Sequence, residues 1–363
     1  MEQRNWDDFR HLCEVKMAWA GDTYTADCLQ PSLFVHVFST YTDTSALLPT
    51  YQRILDLLGD SLQYRRSTSI IRDKKTAFGE FPERLKNPEE ETAYCGFDDK
   101  YSDCTFTQDY YPDVAGGVGC AGINIRHHKF TPESWKDRVT EYWENLKSGE
   151  PNYGFALSYV NVRIPVEQFT EAKAFLDWVL SLEILHSPSL FSATAGYCIE
   201  PYHKDQGKKG LWKKLEKILV EHPGFEYEIA DDEDELGRIY SETHHMIKPQ
   251  ISRINWLNAL NEEALLFYPG GIEGLREESA KWPDLALHPL QNGFMVQAGQ
   301  QPGIGDDGRA PEAYYDAGKL LSPYLNLLVR PMHEEDRPDW AFQFHTPEVL
   351  DKIKKREQAR LGV

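Results

Sequence analysis

From Leu33 onward, short apolar runs rich in β-branched and aromatic residues alternate with stretches of helical spacing. Residues 33–41, LFVHVFSTY, predict a strand. Leu47, Leu48, Tyr51, Ile54, Leu55 and Leu58 then recur at i, i+1, i+4, i+7, i+8 and i+11, one face of a helix that Gly59 stops. Residues 62–71 predict a return strand, and residues 74–119 lose periodicity. Pro82, Pro88, Pro112 and several glycines predict long loops there. Ile123-Asn124-Ile125 reads as a short strand. Thr131-Pro132-Glu133 predicts a helix start with Thr131 as N-cap, and Trp135, Val139, Tyr142 and Leu146 share its inner face. Residues 154–164 alternate as a strand does. Pro165 opens a predicted helix carrying Phe169, Ala172, Leu176, Val179 and Leu180, and residues 190–199 return as a strand. A basic amphipathic helix is predicted over 211–220, after a Gly/Lys turn at 207–210.

The C-terminal third, 254–331, has a more definite order. An apolar segment is followed by a Gly270-Gly271 turn into a short helix, then by two apolar strands joined through Asn292-Gly293. A Pro/Gly/Asp loop and a final helix complete it. Strand–helix–strand units thus recur near 33–71, near 154–199 and more loosely near 254–298. The pattern predicts an α+β fold of repeated strand–helix–strand units, with a mixed or antiparallel sheet and packed helices. A turn cluster at Ser148–Asn152 divides the chain into residues 1–150, with the irregular loops 74–119, and residues 151–363. One continuous domain is the alternative. The Lys/Glu-rich tail after Pro347 predicts a surface helix.

Composition narrows the function classes. The 363 residues are 41% hydrophobic and 12% aromatic, sufficient for a sizeable core. Basic residues number 39 against 58 acidic, a net charge of −19. That balance disfavours direct nucleic-acid binding, which needs a basic face; it suits either a basic partner or solubility alone. The six cysteines, Cys13, Cys28, Cys95, Cys104, Cys120 and Cys198, show no C-x-x-C spacing, so no zinc site is predicted. Their sparseness fits reduced thiols in a cytoplasmic protein. The polar, acidic N-terminus carries no signal-peptide pattern, and no apolar run approaches membrane-span length.

Candidate chemistry is thin. Residues 303–308, GIGDDG, match G-x-G-x-x-G, but Asp306 and Asp307 lie inside the loop and would repel a pyrophosphate. The other reading is a structural loop in which glycines supply positive φ and Asp306 caps a turn or the next helix. The glycine-rich stretch 116–122 lacks the Gly-Lys-Ser/Thr ending of a P-loop. In the pairs His127-His128 and His244-His245, neighbouring side chains point apart, so each pair offers one metal ligand per face. No G-x-S-x-G elbow or Cys–His nucleophile motif is present. No catalytic, cofactor-binding or metal-binding residue is assigned. Catalytic groups can nevertheless lie far apart in sequence, so an enzyme or small-ligand protein using Gly303–Gly308 remains the alternative.

Two acidic segments point to a partner. Residues 226–235 hold seven carboxylates in ten positions, including Asp231, Asp232, Glu233 and Asp234. Residues 97–113 mix carboxylates with aromatics: Asp98, Asp99, Asp103 and Asp109 stand among Tyr101, Phe106, Tyr110 and Tyr111. Charge runs are usually solvated loops. Aromatics among acids compose either a surface for a basic partner, in which rings anchor and carboxylates complement, or a long loop that Phe97, Tyr101 and Phe106 pin to the core.

The C-terminal third also carries a resemblance. Trp256-Leu257-Asn258, Gly270-Gly271, Gly293 through Gln297-Ala298-Gly299, Pro302 with Gly305-Asp306, and Tyr314 through Leu321 and Pro323 follow one another in a definite order. In order and spacing they resemble the TsiV-like immunity proteins of bacterial type VI secretion, inhibitors of VRR-Nuc nuclease toxins. The chain departs from that pattern at Asp307-Gly308-Arg309, and residues 74–153 have no counterpart in it. The resemblance implies a cytoplasmic, non-catalytic protein without a cofactor. Its partner would be a secreted nuclease effector, bound over the DNA-binding face. It also implies structural roles for Trp256, Gly270, Gly271, Gly299, Pro302, Gly305 and Asp306.

Overall fold

The structure, a computed structural model, describes residues 14–19, 22–27, 29–65, 70–98, 121–148, 157–201, 217–226, 240–241, 246–247, 249, 251 and 253–325. Strands β1 (Glu14–Trp19) and β2 (Asp22–Asp27) form an antiparallel hairpin. The chain continues through β3 (Leu29–Ser39), α1 (Thr44–Leu58), β4 (Tyr64–Arg65), α2 (Lys74–Lys86), β5 (Thr92–Asp98), β6 (Gly122–His128) and α3 (Pro132–Ser148). Next come β7 (Ser158–Ile164), α4 (Ala172–Leu180) and β8 (Leu190–Pro201), then a small pair, β9 (Tyr240–Ser241) and β10 (Met246–Ile247). Strand β11 (Leu257–Asn261), α5 (Gly271–Ser279), β12 (Leu285–Leu290), β13 (Gly293–Ala298) and α6 (Glu312–Leu320) follow.

Nine strands form one antiparallel sheet in the order β12-β13-β11-β8-β3-β7-β6-β5-β4. The fold is α+β. β3 pairs on one side with β7 and on the other with β8, so strands from before and after residue 150 share the sheet. Helix α1 joins β3 to β4 and α4 joins β7 to β8, but in neither unit do the two strands pair with each other.

Alternation along each strand gives the sheet two different faces. Val35 and Val37 share a core with Val160, Val162, Ile123 and Ile125, and with Leu47, Ile54, Phe81, Phe175 and Val179 from α1, α2 and α4. Each such side chain contributes roughly 1.5–3 kcal/mol by leaving water. The opposite face has a polar centre: His36 lies opposite Asn161, which lies opposite Asn124. Phe38, Leu157, Tyr159 and Phe191 form a second cluster beside it, against Trp135 and Val139 of α3.

Local signals explain several boundaries. Asp43 caps α1 by accepting from the Ser45 amide, and the Ser134 amide donates to Thr131 Oγ1 at 3.1 Å, the N-cap expected for α3. Tyr142 and Leu146, expected on the inner face of α3, have side chains outside the described residues. Three expectations differ. Residues 62–71 do not form one strand: β4 is short, Tyr64 bridges back to Ile70, and the Ile71 amide donates to Gln63 O. Within the supposedly loop-rich stretch 74–119, α2 and β5 are regular. Asp73 caps α2, and Pro82, taken as a breaker, is accommodated because the Tyr51 hydroxyl donates to Phe78 O at 3.1 Å. Phe78 is four residues before Pro82, so its carbonyl is the one that proline deprives of a helical partner. Pro165 opens a 3-10 turn at Val166–Gln168, and α4 begins only at Ala172. Phe169 precedes the helix, yet its ring lies 5.3 Å from that of Phe175. Of the helix expected over 211–220, only the part from 217 is described, and it is helical to 221.

Candidate functional site

The C-terminal motif residues meet around β11 and β13. Trp256 is fully buried, stacks on Phe175 with ring centroids 5.8 Å apart, and donates through Nε1 to Gly299 O at 3.0 Å. Gln297 Nε2 donates to the same carbonyl at 2.9 Å, tying the end of β13 to the start of β11. Asn258 accepts from the Asn255 amide at 2.9 Å and donates to Asn255 O at 2.7 Å, which fixes the entry into β11. Gly270 and Gly271 take φ of 78° and 61° and turn the chain into α5. Gln291 and Asn292 make the hairpin turn, and Gly293 serves a different purpose. A Cβ there would lie 2.2 Å from Leu260 O, so glycine allows β11 and β13 to approach.

The Gln301–Pro311 loop is held from several sides. Asp306 and Arg309 exchange backbone hydrogen bonds at 2.9 Å, with Asp307 between them at φ 49°. The Gly308 amide donates to Glu221 O, the Gly224 amide donates to Ile304 O, and His222 Nδ1 lies 3.0 Å from Gly305 O. The Gly303 amide donates to the Tyr314 hydroxyl, and the Ala310 amide to the Tyr315 hydroxyl. The Asp306 carboxylate accepts from the Asp307 amide at 3.1 Å and caps no helix; α6 starts after Pro311 without a side-chain cap. These bonds occupy the amides of Gly303, Asp306, Asp307, Gly308, Arg309 and Ala310. The loop therefore lacks the row of open N–H groups that a pyrophosphate needs. Pro302 is buried beneath it.

A cleft of about 800 Å³ separates this loop from α6. Tyr197 and Tyr315 line it, and Asp306, Arg309 and Glu312 stand at its rim. A second cleft of about 770 Å³ lies between α1 and α2, with partly buried Leu48, Leu55 and Phe78 along it.

Asp98, expected at a partner surface, is internal. Its side chain is 6% exposed and pairs with Arg163 of β7 at 2.5 Å. Gly122 of β6, opposite both residues in register, makes the room. A Cβ there would meet the guanidinium at 2.5 Å and the carboxylate at 2.8 Å. Asp99, Tyr101, Asp103, Phe106, Asp109, Tyr110 and Tyr111 lie outside the described residues, as do Asp231, Asp232, Glu233 and Asp234. Glu226, first of the acidic run, is buried, with Asn255 Nδ2 at 3.0 Å and Arg253 Nη1 at 3.4 Å. A charge run alone did not separate that carboxylate from its neighbours, because both partners come from a distant segment.

His127 and His128 occupy successive positions of β6, with Nδ1 atoms 3.3 Å from Thr42 Oγ1 and 3.2 Å from Thr92 Oγ1 respectively. Burial, with a smaller contribution from His128, lowers the pKa of His127 to about 3. His36, which the sequence did not single out, is buried and likewise pushed down to about 3. Burial raises the Cys95 thiol to about 12, and Cys198 is buried too. His244, His245, the glycines at 116–119, the turn at 207–210 and the tail after Pro347 lie outside the described residues. Among the described residues, no group of three or more His, Cys, Asp or Glu is placed to hold a metal, and no helix is long and apolar enough to cross a membrane.

Residues 140–345, more than half of the chain, match the TsiV family model, described as type VI immunity for VRR-NUC. The match includes Trp256, Gly299, the Gln301–Pro311 loop and α6. No curated protein matches the chain. Among solved structures, the Pseudomonas aeruginosa T6SS protein PA0821 superposes with a TM-score of 0.61, covering 96% of this chain and 93% of its own, at 17% identity. At that identity the likeness concerns the fold. The chain belongs to the TsiV family of type VI immunity proteins for VRR-NUC.

Proposed function

We propose that this protein acts in the cytoplasm, binds a cognate VRR-Nuc effector of type VI secretion and neutralises it by covering the face that holds DNA. The family match over 140–345 carries this reading. The net charge of −19 supports it: a nuclease presents a basic cleft to phosphate, and an acidic protein is steered towards that cleft and complements it. The role is stoichiometric inhibition, not catalysis, with the strand–helix–strand units of both halves serving as one scaffold. Protection lapses whenever the complex opens, so slow dissociation is expected. Asp99, Asp103 and Asp109 with Tyr101, Phe106, Tyr110 and Tyr111, and the run Asp231–Asp234, are the proposed contacts. The occupied amides of the Gly303–Gly308 loop remove the main support for a nucleotide-binding alternative.

The test pairs the protein with its cognate VRR-Nuc effector domain. Coexpression should rescue cells from the toxin, and association should slow as salt rises. Replacing Asp99, Asp103 and Asp109 with Asn should slow association more than neutralising Asp231, Asp232, Glu233 and Asp234, because neighbouring rings supply anchors to the first set. Absence of any complex, with the toxin unrestrained, would sink the reading.

A further inference from the structure

The cleft beside α6 is preformed. Its loop wall is fixed by the backbone bonds to Glu221 and Gly224 and by the Asp306–Arg309 turn. Buried Ile304, Ala310 and Tyr197 and partly buried Tyr315 line the cleft. Its rim charges are unequal in availability. Lys319 is engaged by Asp316 at 3.1 Å and lies 4.6 Å over the Trp282 ring. Among the described residues, the Asp306 carboxylate accepts from the neighbouring Asp307 amide, with His222 Nδ1 at 3.9 Å, and its side chain is 76% exposed. Among the described residues neither Asp306 nor Glu312 has a Lys or Arg partner. Among the described residues, the rim therefore carries two carboxylates without a Lys or Arg partner, Asp306 and Glu312, and one guanidinium without a carboxylate partner, Arg309.

We infer that this cleft receives an arginine or lysine side chain from the phosphate-binding surface of the effector, its charged head at the Asp306–Glu312 rim and its methylene stem along the tyrosine rings. The inference rests on the proposed VRR-Nuc partner and names part of the contact. Three physical points favour a cationic occupant. A nuclease must project cations towards DNA. Tyrosine faces attract a cation and pack its stem. A loop already ordered by its own hydrogen bonds loses little entropy on binding. An anionic side chain would find Arg309 but be opposed by both carboxylates. Asp306 thereby acts as a contact residue, beyond the scaffold role that its sequence context implied.

The experiment uses the full chain and the catalytically inactivated VRR-Nuc domain of the cognate effector, with association and dissociation rates measured for three proteins. The double variant Asp306→Asn/Glu312→Gln keeps hydrogen-bond acceptors at exposed positions and should melt as the wild type does. It should bind about tenfold more weakly, chiefly through faster dissociation. Arg309→Met should bind as tightly as the wild type or more tightly. A photo-crosslinker at Tyr315 should capture an effector peptide containing Arg or Lys. Wild-type affinity in the double variant, or a larger loss in Arg309→Met, overturns the cleft assignment and leaves the partner reading standing. Failure of the wild type to bind the domain overturns both.

Discussion

Asp98 and Arg163 form an ion pair inside the protein, 2.5 Å apart, reaching across the glycine of the strand that separates them. Gly122 is required because a side chain there would collide with both partners. The pair closes the point where β5 ends and β6 begins. Removing one partner leaves the other charge buried without its ion-pair partner at 2.5 Å. Arg163→Met should therefore destabilise the fold by about 3–5 kcal/mol. Asp98→Asn/Arg163→Met together should recover much of that loss, measured as the urea midpoint at constant m-value. A cost below about 1 kcal/mol for Arg163→Met would mean that solvent reaches the pair.

Tyr51 should matter in proportion to Pro82. Its hydroxyl supplies the donor that proline withholds from Phe78 O. Tyr51→Phe should cost about 1–3 kcal/mol, the penalty of an unsatisfied carbonyl. In a Pro82→Ala background the helix can supply its own amide, so the same change should cost measurably less. A double-mutant cycle reads this coupling directly, and a coupling energy of zero would sever the link between the two residues.

Stability should fall on acidification through the buried histidines. Both His36 and His127 have folded-state pKa values near 3, against an ordinary value of 6.5. Above pH 6.5 both states are neutral and the stabilisation is complete; between 6.5 and about 3 only the unfolded chain takes up the proton. Each histidine should then withdraw about 1.4 kcal/mol per pH unit over that window. His36→Gln should lower proton uptake on unfolding at pH 5 by about one proton, as read from the slope of unfolding free energy against pH. An unchanged slope would place a protonated imidazole in the folded state.

Two glycines should respond differently to alanine. At Gly293 the added methyl would meet Leu260 O at 2.2 Å, so β11 and β13 must separate. At Gly271 nothing lies within 4 Å, and only the φ of 61° opposes a side chain. Gly271→Ala should cost about 1–2 kcal/mol. Gly293→Ala should cost more, in the range of a core overpacking defect of about 1–3 kcal/mol added to lost strand pairing. Thermal denaturation of the two variants ranks them, and the reverse order would show that the sheet yields easily between β11 and β13.

The sequence by itself determined what local periodicity and local caps encode. The alternation at 33–41 located β3, the i, i+4, i+7 spacing located α1, and Thr131 marked the start of α3. In the C-terminal third, the apolar runs and paired glycines located β11, α5, the β12–β13 hairpin and α6, and the same ordered residues carried the family resemblance. Tertiary structure decided whatever depends on partners distant in sequence. It placed β3 between β7 and β8, since strand pairing is a choice among edges that no single segment encodes. It rescued Pro82 with a hydroxyl from α1, where local rules saw only a breaker. It made Asp98 internal while the sequence presented it as one acid among several, because burial of a carboxylate is decided by a cation and a gap on other strands. It also turned the Gly303–Gly308 match into a closed loop, because the groups that consume its amides come from Glu221 and Tyr314 as well as from the loop itself.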